Sequence, residues 1–238
     1  MTWRTEQAWN VTKTLGRKMG LHKPYWTILY LLDALSQKTA GDVPVHRDVW
    51  ETQYAAGKWE YLRHPAELGR YALLEGYIKK LGLKRILDIG CGEGILLEYL
   101  WPYAYELYVG VDVSATALQS AALKSSKETR FIQADAATFQ PPQAFDAVVF
   151  NESLYYLHDN PLGVLEQYIP AIQPQGYLLT SLFMATKRNR QIAQQLKHCP
   201  WLELVYETTA TTVNTQGRTL AWRCSVWRVN RHTAKRAA

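Results

Sequence analysis

The pattern of hydrophobic and polar residues from about residue 64 onward alternates between helical and strand character. An apolar stripe that recurs every three or four residues predicts a helix over 65–81, with Pro65 at its first position. Short apolar runs predict strands at 85–89, 107–111, 130–134 and 144–150. Further helices are predicted over 95–101, over 115–122 with Ser114 as N-cap, and from Asn160-Pro161. Short buried strands separated by helices predict a parallel sheet covered on both faces.

The pattern changes in the last third of the chain. Pro174-Gln175-Gly176 predicts a turn before a fifth strand at 177–183. The segments 202–213 and 218–229 are long and rich in threonine and aromatic residues, and they flank a polar tetrapeptide. This arrangement predicts a hairpin that forms the antiparallel edge of the sheet.

Residues 1–45 do not join the alternation. They predict a helical extension, most clearly over 25–35, that ends before a break at 41–44. The extension could pack against the sheet or cover a ligand cleft as a lid, and the sequence leaves both arrangements open. We therefore divide the chain into a helical extension, 1–45, and one α/β domain, 46–238.

Composition excludes several classes of protein. Hydrophobic residues make up 47% and charged residues 20% of the chain, which provides enough apolar material for a core and excludes intrinsic disorder. The longest apolar stretch, 25–35, is interrupted by polar residues and is too short for a membrane span. No secretory pattern is visible, and the 3 widely spaced cysteines fit neither a disulfide framework nor a zinc site. We expect a cytoplasmic protein without a metal.

The net charge of +6 is concentrated at the two ends of the chain. Residues 1–24 carry five basic residues and one acid, and 223–238 carry five basic residues and no acid. Basic segments are compatible with a nucleic-acid partner. However, charged chain ends are most often simply solvated, so a nucleic-acid partner is not expected.

A glycine-rich turn, Gly90-Cys91-Gly92-Glu93-Gly94, follows the first predicted strand. Ligands of open α/β sheets bind beyond the carboxyl ends of the strands, where glycine lets the backbone approach closely. The spacing G-x-G-x-G differs from the G-x-G-x-x-G of dinucleotide-binding proteins. Acids also lie at the ends of the first two predicted strands: Asp88 in the first and, 24 residues later, Asp112 in the second. Asp135-Ala136 follows the third strand. Three such acids on consecutive strands predict a nucleoside site.

The segments DIGCGEG, VGVDVS, QADA and FDAVVFNESLYYL, in this order, resemble the successive motifs of class I S-adenosylmethionine-dependent methyltransferases. The resemblance covers about residues 46–229, and an NAD-binding module is the alternative. It implies a Rossmann-like sheet of seven strands, mostly parallel, with an antiparallel C-terminal hairpin and helices on both faces. The implied cofactor is S-adenosylmethionine, and the implied product is S-adenosylhomocysteine.

The resemblance also implies which residues bind the cofactor. The glycines would shape the loop under its methionyl part, Asp88 would help to hold its amino group, and Asp112 would bind the ribose. The full set is Asp88, Gly90, Cys91, Gly92, Gly94, Asp112, Val113, Asp135, Ala136 and Asn151. Cys91 is interpreted as a small packing residue and not as a nucleophile. For Tyr54 and Trp59, in the aromatic segment 50–61, ligand contact and core packing are equally open.

Candidate catalytic residues follow the fourth strand. The methyl group of a sulfonium is already activated, so the protein must chiefly align the reactants. A hydroxyl acceptor would also need a base, for which Glu152, Tyr156 and His158 are candidates. A helix N-terminal acid is an equal alternative for Glu152. A structural role is the more common one for a lone loop histidine such as His158.

The acceptor is expected to be a small molecule. The tetrapeptide 151–154 contains no proline, unlike the corresponding segment of enzymes that methylate amide or exocyclic nitrogens. The segment ESLYYL resembles nodulation-type N-methyltransferases, which act on an amino sugar. A methyltransferase directed at RNA or protein and a non-catalytic cofactor-binding module remain as alternatives. The sequence does not determine the oligomeric state, and a homodimer is one arrangement it leaves open.

Overall fold

The computed structural model describes residues 47–157, 160–214 and 217–230. The helical extension predicted over 1–45 and the candidate base His158 lie outside these ranges. All described residues belong to one compact unit, Val43–Ala238.

Helices and strands alternate along the described chain. The helices are α1 Arg47–Ala55, α2 Leu68–Lys80, α3 Ile95–Leu100, α4 Ala115–Ala122, α5 Pro161–Tyr168 and α6 Lys187–His198. The strands are β1 Arg85–Ile89, β2 Leu107–Asp112, β3 Thr129–Gln133, β4 Phe145–Asn151, β5 Ile172–Phe183, β6 Leu202–Val213 and β7 Thr219–Val229. Short 3₁₀ turns span Glu60–Arg63, Pro65–Glu67, Leu154–Tyr156 and Ile169–Ala171.

The seven strands form one sheet in the order β3-β2-β1-β4-β5-β7-β6. Strands β1 to β5 pair in parallel, whereas β7 pairs antiparallel with both β5 and β6. Each parallel pairing requires a crossover connection, and the helices between the strands supply it. The predicted Rossmann-like sheet with an antiparallel C-terminal hairpin is therefore confirmed.

Alternate residues of the strands point to opposite faces of the sheet. On one face, Ile86 and Val149 belong to a core cluster that includes buried side chains of α2 and α3. On the other face, Leu87 and Val148 belong to a cluster that includes side chains of α5 and α6. Both faces are covered by helices, as the continuous apolar runs of these strands predict.

Polar residues begin two of the helices at the predicted positions. Ser114 Oγ accepts a hydrogen bond from the amide of Ala117 at 3.2 Å, and Asn160 Oδ1 accepts one from the amide of Gly163 at 3.0 Å. These caps pair amides that would otherwise have no partner at the first turn of a helix. Through Ser114, the cap fixes the start of α4 directly after β2.

The turn predicted at 174–176 is wrong, because these residues lie inside β5. Phe145 of β4 pairs with Ile172, whereas Ala147 pairs with Tyr177, so four residues of β5 bulge opposite one residue of β4. Proline has no amide hydrogen and is tolerated at such bulges. Residues 174–176 do interrupt the regular pairing of the strand, but they do so as a bulge within β5 and not by reversing the direction of the chain.

Candidate functional site

The glycine loop, residues 90–94, connects β1 to α3. Gly90, Gly92 and Gly94 have φ values of 74°, 54° and 71°, a left-handed conformation that favours glycine. A Cβ atom at Gly92 would lie 2.7 Å from Tyr54 Oη, and one at Gly90 would overlap the side chain of Ser153. The backbone of the loop is therefore enclosed by α1 on one side and by the residues after β4 on the other.

Asp112, the last residue of β2, is buried and ties the glycine loop to the start of α4. Its Oδ2 accepts a hydrogen bond from the amide of Gly92 at 2.8 Å, and its Oδ1 accepts one from the amide of Ser114 at 2.9 Å. Burial raises the pKa of this carboxyl group, although the backbone amides lower it. Its predicted role, ribose binding, stays a prediction.

Asp88, near the end of β1, is a fully buried carboxyl group with one unpartnered oxygen. The Tyr108 hydroxyl donates to Oδ2 at 2.5 Å, whereas Oδ1 has no hydrogen-bond partner. The pKa of Asp88 is raised to about 7, chiefly by burial; the charge of Asp112 acts in the same direction, whereas the Tyr108 hydrogen bond and the charge of Arg70 oppose it. A buried oxygen without a donor, beside a second carboxylate, would be stabilised by a cationic group.

The third predicted acid, Asp135, lies two residues after β3 and is exposed. Its Oδ1 accepts a hydrogen bond from the amide of Ala137 at 2.8 Å, and the carbonyl of the buried Ala136 accepts one from Tyr168 Oη at 2.7 Å. Since β1, β2 and β3 are parallel neighbours, their acids lie at the same edge of the sheet. The structure thus brings these positions together, while contact with an adenine stays a prediction.

The residues at this edge fit a cationic nucleoside such as S-adenosylmethionine. Among the described residues, the carboxylates of Asp88 and Asp112 receive hydrogen bonds only from a hydroxyl and from backbone amides, which carry no net charge. The glycine loop contacts Asp112 directly, through the amide of Gly92. Arg70 acts on Asp88 through its charge but forms no hydrogen bond with it, so an ammonium in direct contact would supply the paired positive charge that these two carboxylates lack among the described residues.

The aromatic cluster, Trp50, Tyr54, Trp59 and Tyr156, lies beside the glycine loop. The Trp50 ring centroid is 4.9 Å from that of Tyr156 in a T-shaped arrangement and 5.5 Å from that of Trp59. Tyr54 contributes its ring, 5.8 Å from Trp59, and the hydroxyl that faces Gly92. The Trp59 Nε1 group is buried without a hydrogen-bond partner. Tyr54 and Trp59 pack within this cluster, and their contact with a ligand stays a prediction.

Asn151, the last residue of β4, has a fixed side-chain orientation. Its Oδ1 accepts hydrogen bonds from Arg70 Nη1 at 2.6 Å and from Ser181 Oγ at 2.8 Å. Arginine only donates hydrogen bonds, so the atom that it contacts must be the amide oxygen. The NH₂ group of Asn151 forms no hydrogen bond with the described residues.

Arg70, in α2, is a site residue that the sequence reasoning missed. Its side chain is buried, its Nε donates to Glu67 Oε2 at 2.8 Å, and its Nη2 donates to Tyr71 Oη at 3.0 Å. The apolar stripe of α2 predicts the helix and its buried hydrophobic residues, but it does not predict a buried arginine. An ion pair three residues apart within that stripe is the signal that could have indicated a buried polar role.

Glu152 is the one described non-glycine residue with a positive φ, 59°. Tyr155 Oη donates to its Oε2 at 2.9 Å, and Ser181 Oγ lies 3.1 Å from its Oε1. Burial raises the pKa of Glu152 to about 7, while the charge of Arg70 lowers it. Left-handed backbone at a non-glycine residue is costly and clusters at functional sites. A carboxyl group with this pKa can accept and release a proton near neutral pH.

The remaining candidates have simpler surroundings. Cys91 is buried, and burial raises the pKa of its thiol well above the usual value, so it stays protonated and packs beside Gly110. Val113 is half-buried, and its carbonyl accepts a hydrogen bond from Gln133 at 3.1 Å. Within the described part of the chain, every helix is too short or too polar to cross a bilayer. No group of three or more potential metal ligands occurs among residues 47–157, 160–214 and 217–230.

Residues 52–225 match the family described as a methyltransferase domain. Trans-aconitate 2-methyltransferase from Escherichia coli is 32% identical over 126 residues, which cover 51% of this chain and 48% of that protein. The corresponding protein from Escherichia fergusonii is 31% identical over the same length. The chain therefore spans about half the length of the curated relatives that it matches.

Solved structures show the same fold. One of them is N-methyltransferase NodS from Bradyrhizobium japonicum in complex with S-adenosylhomocysteine, with a TM-score of 0.61 at 20% identity. The aligned part covers 72% of this chain and 91% of the NodS chain. The 1,6-didemethyltoxoflavin-N1-methyltransferase from Burkholderia thailandensis, also with S-adenosylhomocysteine, has a TM-score of 0.62 at 17% identity and covers 77% and 87%. At these identities the likeness extends to the fold alone.

Proposed function

Because this chain belongs to the methyltransferase-domain family, and has the predicted class I fold, we propose that it transfers the methyl group of S-adenosylmethionine to an oxygen or nitrogen atom of a small acceptor. The observation that supports this most strongly is the edge formed by Asp88 and Asp112. Two buried carboxylates without a cationic partner among the described residues lie there against a left-handed glycine loop. This arrangement is suited to a ligand that brings its own positive charge.

When bound, S-adenosylmethionine supplies a methyl group that is activated by the positive charge of its sulfur. The chain's part is to bind and orient it. Asp88, with its unpartnered oxygen, would hold the amino group, and Asp112 would accept hydrogen bonds from the ribose. Asp135 and Ala136, at the third strand, would contact the adenine. The glycine loop would let the backbone approach the methionyl part.

The acceptor would lie near the end of β4, the strand next to β1. Two groups there can contact it: the NH₂ of Asn151, which Arg70 and Ser181 orient, and the carboxyl group of Glu152. Glu152, with its pKa of about 7, would accept the proton of a hydroxyl or ammonium acceptor. A neutral amine would need only alignment, which can account for a large share of the acceleration.

A screen of small acceptors with methyl-labelled S-adenosylmethionine, read by mass spectrometry, tests the proposal. The panel should include trans-aconitate, an amino sugar and 1,6-didemethyltoxoflavin, since relatives named in the comparisons act on the first and third. A labelled product that is absent with Asp112→Ala would support the proposal. Binding of S-adenosylhomocysteine without turnover on any acceptor would favour a non-catalytic module, and absence of binding would reject both.

A further inference from the structure

Glu51, in α1, connects that helix to the start of α4 by three hydrogen bonds. Its Oε1 accepts one from the amide of Ala115 at 2.7 Å. Its Oε2 accepts one from the amide of Thr116 and one from the Ser114 hydroxyl, both at 3.0 Å. A carboxylate that reaches across to the first turn of another helix ties the two elements together.

The electrostatics of this contact are strongly favourable. Amides at the first turn of a helix have no partner within the helix and carry partial positive charge. The hydrogen bonds from Thr116, Ala115 and Ser114 lower the pKa of Glu51 to about 2, although burial opposes this shift. Glu51 is therefore ionised throughout the physiological range, and the contact persists across it.

Helix α4 does not need Glu51 in order to begin, because Ser114 already caps it by accepting from the amide of Ala117. Helix α1, in contrast, contains no fully buried residue. Its contacts with the described residues include the partly buried rings of Trp50 and Tyr54 and the three hydrogen bonds of Glu51. This difference indicates that the contact serves the position of α1 more than the formation of α4.

The two segments that this contact joins, helix α1 and the turn after β2, both belong to the candidate site. The turn that Glu51 holds directly follows Asp112, whose Oδ1 accepts from the amide of Ser114. On α1, Trp50 precedes Glu51, and Tyr54 follows it by one helical turn, with its hydroxyl against Gly92. Glu51 thus joins the strand end expected to bind the ribose to the helix that encloses the glycine loop.

We infer that Glu51 is a positioning residue that holds α1 across the cofactor site and thereby slows cofactor release. This inference rests on the proposed function, since it requires that a nucleoside cofactor binds between the glycine loop and Asp112. Among the contacts of the described residues, loss of the carboxylate leaves the ring contacts of Trp50 and Tyr54 and the approach of the Tyr54 hydroxyl to Gly92.

The experiment compares Glu51→Ala and Glu51→Gln with Arg47→Ala. Arg47 lies on the same helix and pairs with Glu51 at 3.6 Å, but among the described residues it forms no hydrogen bond or ion pair with α4 or the glycine loop, which makes it a matched control. S-adenosylhomocysteine affinity is measured by calorimetry, and its dissociation rate by stopped-flow tryptophan fluorescence. Hydrogen exchange reports on the amides of Ala115 and Thr116 without any ligand.

We expect Glu51→Ala to weaken binding by roughly tenfold, mainly through faster dissociation, and to lose protection at Ala115 and Thr116. Glu51→Gln keeps one acceptor oxygen and should recover part of the affinity. Arg47→Ala should stay within about twofold of the wild type. At saturating cofactor, kcat should remain near the wild-type value while KM for the cofactor rises.

Three results would overturn the inference. Wild-type affinity and dissociation in Glu51→Ala would show that the contact does not retain the cofactor. Loss of protection throughout the sheet in both Glu51 variants would show a general role in stability. If the wild type itself does not bind S-adenosylhomocysteine, the proposed function fails first, and the inference fails with it.

Discussion

Asp88 and Glu152 are two carboxyl groups that titrate near neutral pH but have different surroundings. Burial raises the pKa of each to about 7. Asp88 lies beside Asp112 at the glycine loop, whereas Glu152 lies after β4 among Arg70, Tyr155 and Ser181. We therefore expect Asp88 to control cofactor binding and Glu152 to control turnover.

Cofactor affinity should depend on the ionisation of Asp88. The ammonium group of S-adenosylhomocysteine favours the carboxylate form, so its affinity should rise by up to about tenfold between pH 6 and pH 8. Calorimetry in two buffers of different ionisation enthalpy should detect a proton released on binding at pH 6. Asp88→Asn should bind more weakly and with an affinity that no longer changes with pH. An unchanged pH dependence in this variant would contradict the assignment.

Glu152→Gln should lower kcat on the order of 10²-fold for an acceptor that must lose a proton, and leave S-adenosylhomocysteine affinity within about twofold. The matched variant is Tyr155→Phe, which keeps the carboxyl group but removes a hydrogen bond that lowers its pKa. The midpoint of its pH–rate profile should therefore move to higher pH. A wild-type rate in Glu152→Gln would show that this group does not take part in the reaction.

At the scale of elements, strands were more predictable than helices. The predicted bounds of β1 agree with the structure, because the buried Ile86, Leu87 and Ile89 mark the strand and Gly90 directly follows it. Helix α6 was missed, since most of its twelve residues are polar and only one side of it faces the core. The acids and glycines of the site followed from their place at strand ends. Arg70 could not be found in this way, because its role depends on where the fold places α2 relative to Asn151, at the end of β4.

The glycine loop allows a matched test of local strain against steric contact. An alanine at either Gly92 or Gly82 must adopt a positive φ, which costs about 1 kcal/mol of stability. A Cβ at Gly82 meets nothing within 4 Å, whereas one at Gly92 lies 2.7 Å from Tyr54 Oη. Gly82→Ala should therefore lower Tm without changing S-adenosylhomocysteine affinity, and Gly92→Ala should lower both, as thermal unfolding and calorimetry would show.

A double variant separates the two effects at Gly92. Tyr54→Phe removes the oxygen atom nearest to the new Cβ, so Gly92→Ala combined with Tyr54→Phe should recover part of the affinity lost in Gly92→Ala. If the double variant binds no better than the single one, the contact between α1 and the loop is not the cause of the loss.

At the scale of the whole molecule, apolar and charged residues are separated. The two core clusters fill the two faces of the sheet, while Asp88 and Asp112 lie at the carboxyl ends of its strands without a cationic partner among the described residues. Burying acids without such partners disfavours their ionised forms. Without a ligand, the free energy of unfolding is therefore lower than it would be if these two carboxyl groups had cationic partners.

This separation predicts how stability depends on pH. The folded-state pKa of Asp88 is raised, to about 7, so the folded protein retains a proton that the unfolded chain loses near pH 4. Its contribution is fully present below the unfolded pKa and is lost as pH rises through about 7. Between pH 6 and pH 8 the ligand-free protein should lose about 1 kcal/mol through this group, a Tm decrease of roughly 2–4 °C.

Thermal unfolding of the wild type and of Asp88→Asn at pH 6 and pH 8 measures this loss. The amide side chain that Asp88→Asn introduces stays uncharged at both pH values, so the variant should lose less stability than the wild type over this range. Glu152 contributes in the same direction, so part of the dependence should remain in the variant. Saturating S-adenosylhomocysteine should stabilise the wild type more at pH 8 than at pH 6, since its ammonium compensates the ionised Asp88. An equal decrease in Tm for wild type and variant would show that Asp88 does not titrate between pH 6 and pH 8.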